Sequence, residues 1–271
     1  MTAITKTEET PIVSIRGLTV KYGDKTVLSN ITSDFNRSEV KVILGTSGCG
    51  KTTLLKSITG LLKIDSGSIK LFGREMGDPD EPSTAELLRK TGVLFQNGAL
   101  LGSLTVAENV ALPLTMHTKL PKKLIDEIVH YKLSQVDLPH AGKLYPGELS
   151  GGMKKRAALA RALALDPPLL FCDEPSAGLD PVTSAGLDDL LKKLRQSLGI
   201  TIIVVTHELF SIEMIADKIL FLNKGNVLFD GDFSEARKQK TGPVADFFNR
   251  RESGGEKNQQ NRPDLNLEYT Q

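Results

Sequence analysis

The chain has 271 residues, 39% of them apolar and 25% charged, with 34 Lys+Arg against 33 Asp+Glu and a net charge of +1. That balance suits a globular protein with one large core, with or without a smaller lobe, and gives none of the overall basic excess that would point to nucleic acid. Cys49 and Cys172 make no disulfide framework, the start MTAITKTEETP has no apolar signal segment, and runs such as 202–205 and 219–222 are too short to cross a bilayer. The sequence therefore reads as cytosolic.

In chain order, short strands are expected at Ile12–Ile15, Leu18–Tyr22, Val27–Ile31 and Lys41–Leu44, punctuated by Gly, Asn and Asp. KVILG then runs through a glycine-rich turn into TTLLKSITGLL, a strand–loop–helix unit. A loop GDPDEPS, a helix Ala85–Lys90 and a strand Gly92–Phe95 follow. From Gln96 to about Leu165 the character is helical: Thr105 with Glu108 forms a capping box, Pro121 suits a first helical turn, and Leu124, Ile125, Ile128 and Val129 recur at helical spacing. This predicts a helical lobe (96–165) inserted in an α/β core (11–95 and 166–249).

The core resumes with the apolar strand LLFCDE. Next comes a helix opened by Asp180-Pro181, with Leu187, Leu190, Leu191, Leu194 and Leu198 on one face, stopped by Gly199 and followed by the buried strand TIIVVT. Strand, helix and strand in that order predict right-handed crossovers and a mostly parallel sheet. Residues 250–271 are polar and expected to be disordered. Within them Leu265, Leu267 and Tyr269 alternate with polar residues, a pattern that could dock on a neighbouring subunit.

Three short segments carry chemistry. Gly45-Thr46-Ser47-Gly48-Cys49-Gly50-Lys51-Thr52 matches G-x-x-x-x-G-K-[ST], in which glycines let backbone N–H groups converge on phosphates at a helix N-terminus. Lys51 then reaches the β- and γ-phosphates, and the Thr52 hydroxyl holds Mg²⁺. By itself this loop is shared with kinases and GTPases. Asp173 and Glu174 end an apolar strand, where ligands bind in open α/β sheets; Asp173 is suited to orient Mg²⁺, directly or through water, and Glu174 to act as general base. Ser150, Gly151 and Gly152 in LSGG open a helix whose amide end forms a second, weaker anion site. If the lobe holds that end far from the first loop, the two meet around one phosphate only when two chains pack head to tail. Cys49, beside a helix N-terminus and Lys51, is expected to favour the thiolate and to react with maleimides, whereas Cys172 should pack inertly.

Taken together, GTSGCGKTT, Gln96, LSGG, LLFCDEP, the SAGLD stretch and His207 after IIVVT resemble the ABC ATPase pattern in order and spacing, from Ile12 to about Phe248. The resemblance implies a RecA-like, mostly parallel core with an antiparallel β subdomain and an inserted helical lobe. It also implies ATP hydrolysis with Mg²⁺. By position, Tyr22 stacks on adenine, Thr53 joins the phosphate loop, and Gln96 senses Mg²⁺ and the lytic water. His207 contacts the γ-phosphate and steadies Glu174; Asp180 lies at the dimer seam, while also being placed as a plain N-cap. His117, His130 and His140 have no such context.

DNA-repair and translation members carry long insertions or two cassettes, and this chain has neither; a soluble Fe–S-assembly ATPase remains an alternative. Within transporters, FQNGALLGSLTVAENVALPL, ELSGGMKKRAALARALALDP, DEPSAGLDPVTSAGLDDL and VVTHELFSIEMIADKI resemble the ATPases of Mla-type, MCE-associated phospholipid transporters. The resemblance implies a second copy, an integral-membrane permease docking on Gly98–Leu114, an MCE-domain lipid-binding protein, and a place on the cytoplasmic face of the inner membrane. Amino-acid importers are the alternative within transporters.

Overall fold

The computed structural model describes residues 10–256, with side chains to residue 249. Its first element is a hairpin, β1 (Val13–Tyr22) and β2 (Lys25–Phe35), closed by Gly23-Asp24 so that Tyr22 faces Lys25. The two strands expected at 12–15 and 18–22 are one: register shifts between Ile15 and Leu18, with Gly17 at φ +59°, bulge a continuous strand. With β4 (Ser66–Leu71) and β5 (Arg74–Glu75) it forms an antiparallel sheet in the order β2-β1-β4-β5.

The second sheet holds β3 (Val40–Gly45), β6 (Thr91–Leu94), β7 (Leu169–Asp173), β8 (Thr201–Val205), β9 (Lys218–Asn223) and β10 (Asn226–Asp232) in the order β10-β9-β3-β8-β7-β6. All its pairings are parallel except that of the edge strand β10 with β9. Its central strands are buried on both faces and mostly apolar, the exception within β3 being the buried Lys41, which pairs with Asp230 of β10 and donates to Ser33 Oγ at 3.0 Å. Val42, Leu170, Cys172, Ile202 and Val204 face one core; Ile43, Leu169, Phe171, Ile203 and Val205 face the other. The latter lies against the antiparallel sheet and α1 (Lys51–Ile58).

The former core is covered by α3 (Val106–His117), α4 (Lys122–Gln135), α5 (Gly151–Ala162), α6 (Pro181–Leu198) and α7 (Leu209–Ile215). Helix α2 (Pro82–Leu88) begins earlier than expected because Pro82 occupies its first turn, where a missing N–H costs nothing. The Thr105–Glu108 capping box forms, and Pro121 sits at the N-cap of α4. After α8 (Phe233–Lys238), α9 (Pro243–Glu256) continues past residue 250, so the stretch expected to be unstructured begins as helix. The alternating Leu265–Tyr269 segment lies outside the described residues.

The apolar face of α6 also contains a buried carboxyl. Asp188 is fully buried; its Oδ1 accepts from the Ser176 hydroxyl at 3.5 Å, Ser176 Oγ lies 3.2 Å from Ser211 Oγ, and Oδ2 has no partner among the described residues. Burial pushes the carboxyl up to about 6, against the Ser211 and Ser176 hydroxyls, which lower it. An acid raised in the folded state adds stability fully present below its ordinary pKa and lost as pH rises through about 6. Asp188→Asn is therefore expected to gain about 1–3 kcal/mol at pH 7.5 and to flatten the pH dependence between pH 5 and 7, measured by urea unfolding. Loss of stability at pH 7.5 would mean that the ionised carboxylate is worth more than its burial costs.

Candidate nucleotide site

Strands β3, β8, β7 and β6 are adjacent and parallel, so their carboxyl ends share one edge of the sheet. The loop at Gly45, His207, Asp173-Glu174 and Gln96 follow those four ends, which is why residues far apart in sequence converge. Gly45, Thr46, Ser47, Gly48, Lys51, Thr52, Gln96, Asp173, Glu174 and His207 line one cavity of about 680 Å³, with Leu209 and Phe247 in its wall. Cys49, Gly50 and Thr53 line a smaller depression of about 170 Å³ beside Val27.

The phosphate-loop geometry demands glycine. Gly45 has φ +148°, and a Cβ there would meet Leu222 O at 2.1 Å and Cys49 Sγ at 2.6 Å. Gly50, at φ +105°, caps α1 without a side chain, leaving the first N–H groups of that helix without intrahelical acceptors. The Lys51 ammonium donates to Gly45 O at 3.1 Å and Thr46 O at 3.2 Å, which holds the cation over the loop.

Glu174 is the most constrained residue of the site. Its φ of +46° is left-handed, unusual for a residue with a side chain. Its N–H donates to Val205 O at 2.8 Å, and its Oε1 lies 2.8 Å from His207 Nδ1. An ionised carboxylate only accepts, so this contact requires the proton on Nδ1. The other oxygen, Oε2, is buried with no partner among the described residues. Asp173 beside it is half-buried, and burial followed by the Glu174 charge pushes its carboxyl up, while Lys56 and Lys155 oppose this.

Three of the expected elements stand apart. Ser150 caps α5 by accepting from Met153 N–H at 3.3 Å, and Gly152 packs where a Cβ would meet Thr183 Cγ2 at 2.4 Å. Asp180 caps α6 by accepting from Val182 N–H at 3.1 Å and Thr183 N–H at 3.0 Å. Tyr22 is half exposed at the end of β1. None of these borders the cavity.

The family model for "ABC transporter" matches residues 28–177, which take in the phosphate loop, Gln96, Ser150 and Asp173-Glu174. The chain belongs to the ABC transporter ATP-binding family. Among its relatives are the probable ribonucleotide transport ATP-binding protein mkl of Mycobacterium leprae, 39% identical over 89% of this chain and 70% of that one, and the intermembrane phospholipid transport system ATP-binding protein MlaF of Haemophilus influenzae, 38% identical over 88% of this chain and 90% of that one. The methionine import ATP-binding protein MetN of Campylobacter jejuni is also 38% identical, over 88% of this chain and 75% of that one. The solved cbiO1 of Clostridium perfringens superposes with a TM-score of 0.79 at 31% identity, covering 90% of this chain and 96% of that one. A dimeric ATP-binding cassette bound to ADP and Pi superposes with a TM-score of 0.74 at 31% identity, covering 81% and 98%. This ABC ATPase thus has the family's parallel core and antiparallel sheet, and it binds and hydrolyses ATP.

One expectation for the ABC ATPase is reversed. Cys49 is buried at 3% exposure, and that burial pushes its thiol up, outweighing Lys51 and the neighbouring N–H groups that pull it down. A neutral, shielded thiol is a poor nucleophile. Cys49 is expected to react with a maleimide at pH 7 at least about tenfold more slowly in the folded chain than after unfolding, as followed by mass spectrometry. Equal rates would restore the thiolate reading. Cys172 is fully buried, and its thiol too is pushed up by burial.

Two residues of the ABC ATPase escaped sequence reading. On α5, Lys155 Nζ donates to Gln96 O and, at 3.1 Å, to Glu174 O. Arg161 donates to Ala99 O at 2.6 Å and Gly98 O at 2.8 Å. Helical spacing puts Lys155 on one face with Gly152 and Leu159, both buried, so a cation on the inner face was detectable.

Proposed function

We propose that two copies of this chain close head to tail around two ATP and drive a separate membrane permease that moves phospholipid. Ser150, Gly151 and Gly152 of each copy then face the γ-phosphate bound by the other, with Asp180 at the seam and Tyr22 stacked on adenine. The orphaned Oε2 of Glu174 carries the hydrolytic reading: a buried, unpaired carboxylate oxygen beside the phosphate loop is an acceptor for a proton of the attacking water. His207 holds the other oxygen and so fixes which one faces the water. Lys51 follows the transferred phosphoryl group's charge from the loop side.

Thr52, Asp173 and Gln96 offer hydroxyl, carboxylate and amide oxygens on the wall of the same cavity. That set fits Mg²⁺, which takes one or two carboxylates and leaves the remaining positions to water and phosphate. Bound there, Mg²⁺ neutralises charge on the β- and γ-phosphates.

The permease reading rests on a groove of about 680 Å³ between β6, α3 and α5, lined by Phe95, Ala99, Leu112, Pro113 and Arg161 among others. Phe95, on the groove wall, directly precedes Gln96 and is exposed, as is Leu101 further along the same loop. No helix among the described residues is long and apolar enough to cross a membrane. Phospholipid as cargo follows from likeness to MlaF, and an MCE-domain partner and a place on the cytoplasmic face of the inner membrane are carried over from the resemblance of the sequence to Mla-type transporters. Likeness to MetN favours an amino-acid importer as the second reading.

The chain purified with its native membrane should bring down a polytopic permease, an MCE-domain protein and bound phospholipid. Recovery with a solute-binding protein and a small polar solute would favour the importer. Recovery only in a soluble complex would discard transport.

A further inference from the structure

Helix α5 does more than present Ser150. Lys155, five residues into the helix from its cap, is buried at 6% exposure. A buried ammonium is costly unless acceptors replace its water. Here the acceptors are two backbone carbonyls from separate strand ends, Gln96 O after β6 and Glu174 O after β7, the latter at 3.1 Å. Filling space alone would be served by an apolar side chain of the same length, without that cost.

The contact matters most for Glu174. Its left-handed backbone must be held, and its N–H, its carbonyl and one carboxylate oxygen each have a separate partner. The N–H is fixed by Val205 O at 2.8 Å, the carboxylate by His207 Nδ1 at 2.8 Å, and the carbonyl by Lys155. About 9 Å further along the helix, at 1.5 Å per residue, Arg161 grips Gly98 O and Ala99 O of the same loop that carries Gln96.

We propose that Lys155 is a positioning residue for hydrolysis: its ammonium ties the backbone of Gln96 to that of Glu174 and joins both to the helix headed by Ser150. A displacement of Ser150 towards the partner's nucleotide is thereby transmitted within one chain to the general base and to the loop bordering the permease groove. This rests on the roles given above to Glu174, Gln96 and Ser150.

The test compares Lys155→Met, Lys155→Arg and Glu174→Gln with the unmodified chain, reading kcat, KM for ATP, ADP affinity and melting temperature. Lys155→Met should lower kcat by about 10- to 100-fold, since small misplacements of reacting groups cost that much. KM and ADP affinity should stay within about twofold, because the phosphate loop is untouched, and Lys155→Arg should recover most of the loss. Unchanged kcat in Lys155→Met overturns the proposal. So does a kcat loss matched by an equal loss of ADP affinity, or an Arg variant as impaired as Met at an unchanged melting temperature. If Lys155→Met does not fold, Lys155→Gln, which keeps one donor group, is judged by the same criteria. If Glu174→Gln hydrolyses ATP normally, the general-base reading itself falls; if it is inactive while Lys155→Met is normal, only the role of Lys155 falls.

Discussion

Glu174→Gln is expected to slow ATP hydrolysis by about 10²–10⁴-fold, the range a positioned general base supplies, while ATP binding persists. The amide keeps the size and the left-handed backbone of Glu174, and its oxygen can still accept from His207 Nδ1. What it loses is the second basic oxygen, the one that is buried without a partner. The substitution leaves untouched the Gly45 loop and Lys51, and the phosphate contact proposed for Ser150 of a second copy. The variant should therefore accumulate as an ATP-bound dimer, visible as a shift in size-exclusion elution that ADP does not produce. Hydrolysis at the normal rate would remove Glu174 from the reaction, and loss of ATP binding would show that its charge matters to the ground state.

Gly45→Ala should have the largest effect on the fold of the site. Gly45 ends β3 opposite Leu222 of β9, and an added Cβ would lie 2.1 Å from the Leu222 carbonyl oxygen, a backbone atom with nowhere to go. Either β3 and β9 separate or the loop rebuilds, and a clash of that kind costs about 3 kcal/mol or more. Gly48→Ala is the matched comparison. It also has a positive φ, +73°, but a Cβ there meets nothing within 4 Å, so only the left-handed strain of about 1–2 kcal/mol applies. Urea unfolding of both should rank Gly45→Ala well below Gly48→Ala, with ATP affinity falling in the same order. Equal losses would mean that β9 yields without penalty at this point.

Much of this was legible because the relevant physics is local. The caps at Thr105, Ser150 and Asp180 can be read from one side chain and the two or three N–H groups after it, and all three form. Strands β7 and β8 announce themselves as apolar runs, because a strand covered on both faces has little polar side to show, whereas β3 carries the buried Lys41 within its run. The bulge in β1 was read as a gap between strands, since Gly17 looks like a turn until a partner strand passes it. Cys49 went the other way: its neighbours in sequence favour the thiolate, but Leu28 and the rest of the core beneath the loop exclude water, and that is not encoded nearby. For Lys155 and Asp188 helical spacing can show the buried face, but not the partners that make a buried charge tolerable. Each is a charged residue whose partners come from other segments: Gln96 and Glu174 for the first, Ser176 and Ser211 for the second.

The strand order has a consequence for synthesis. Strand β3 sits between β8 and β9, with Val40 beside Ile202 and Lys41 beside Lys218. Neither neighbour exists until most of the chain has left the ribosome, and pairings between such distant segments form slowly because the loop must close before any contact rewards it. The segment that folds around phosphate is thus made early, while the two strands that hold its root in place are made late. During translation β1 and β2 can pair before either β8 or β9 is made, whereas β3 and the Gly45 loop at its end gain both flanking strands only after residue 223 has emerged.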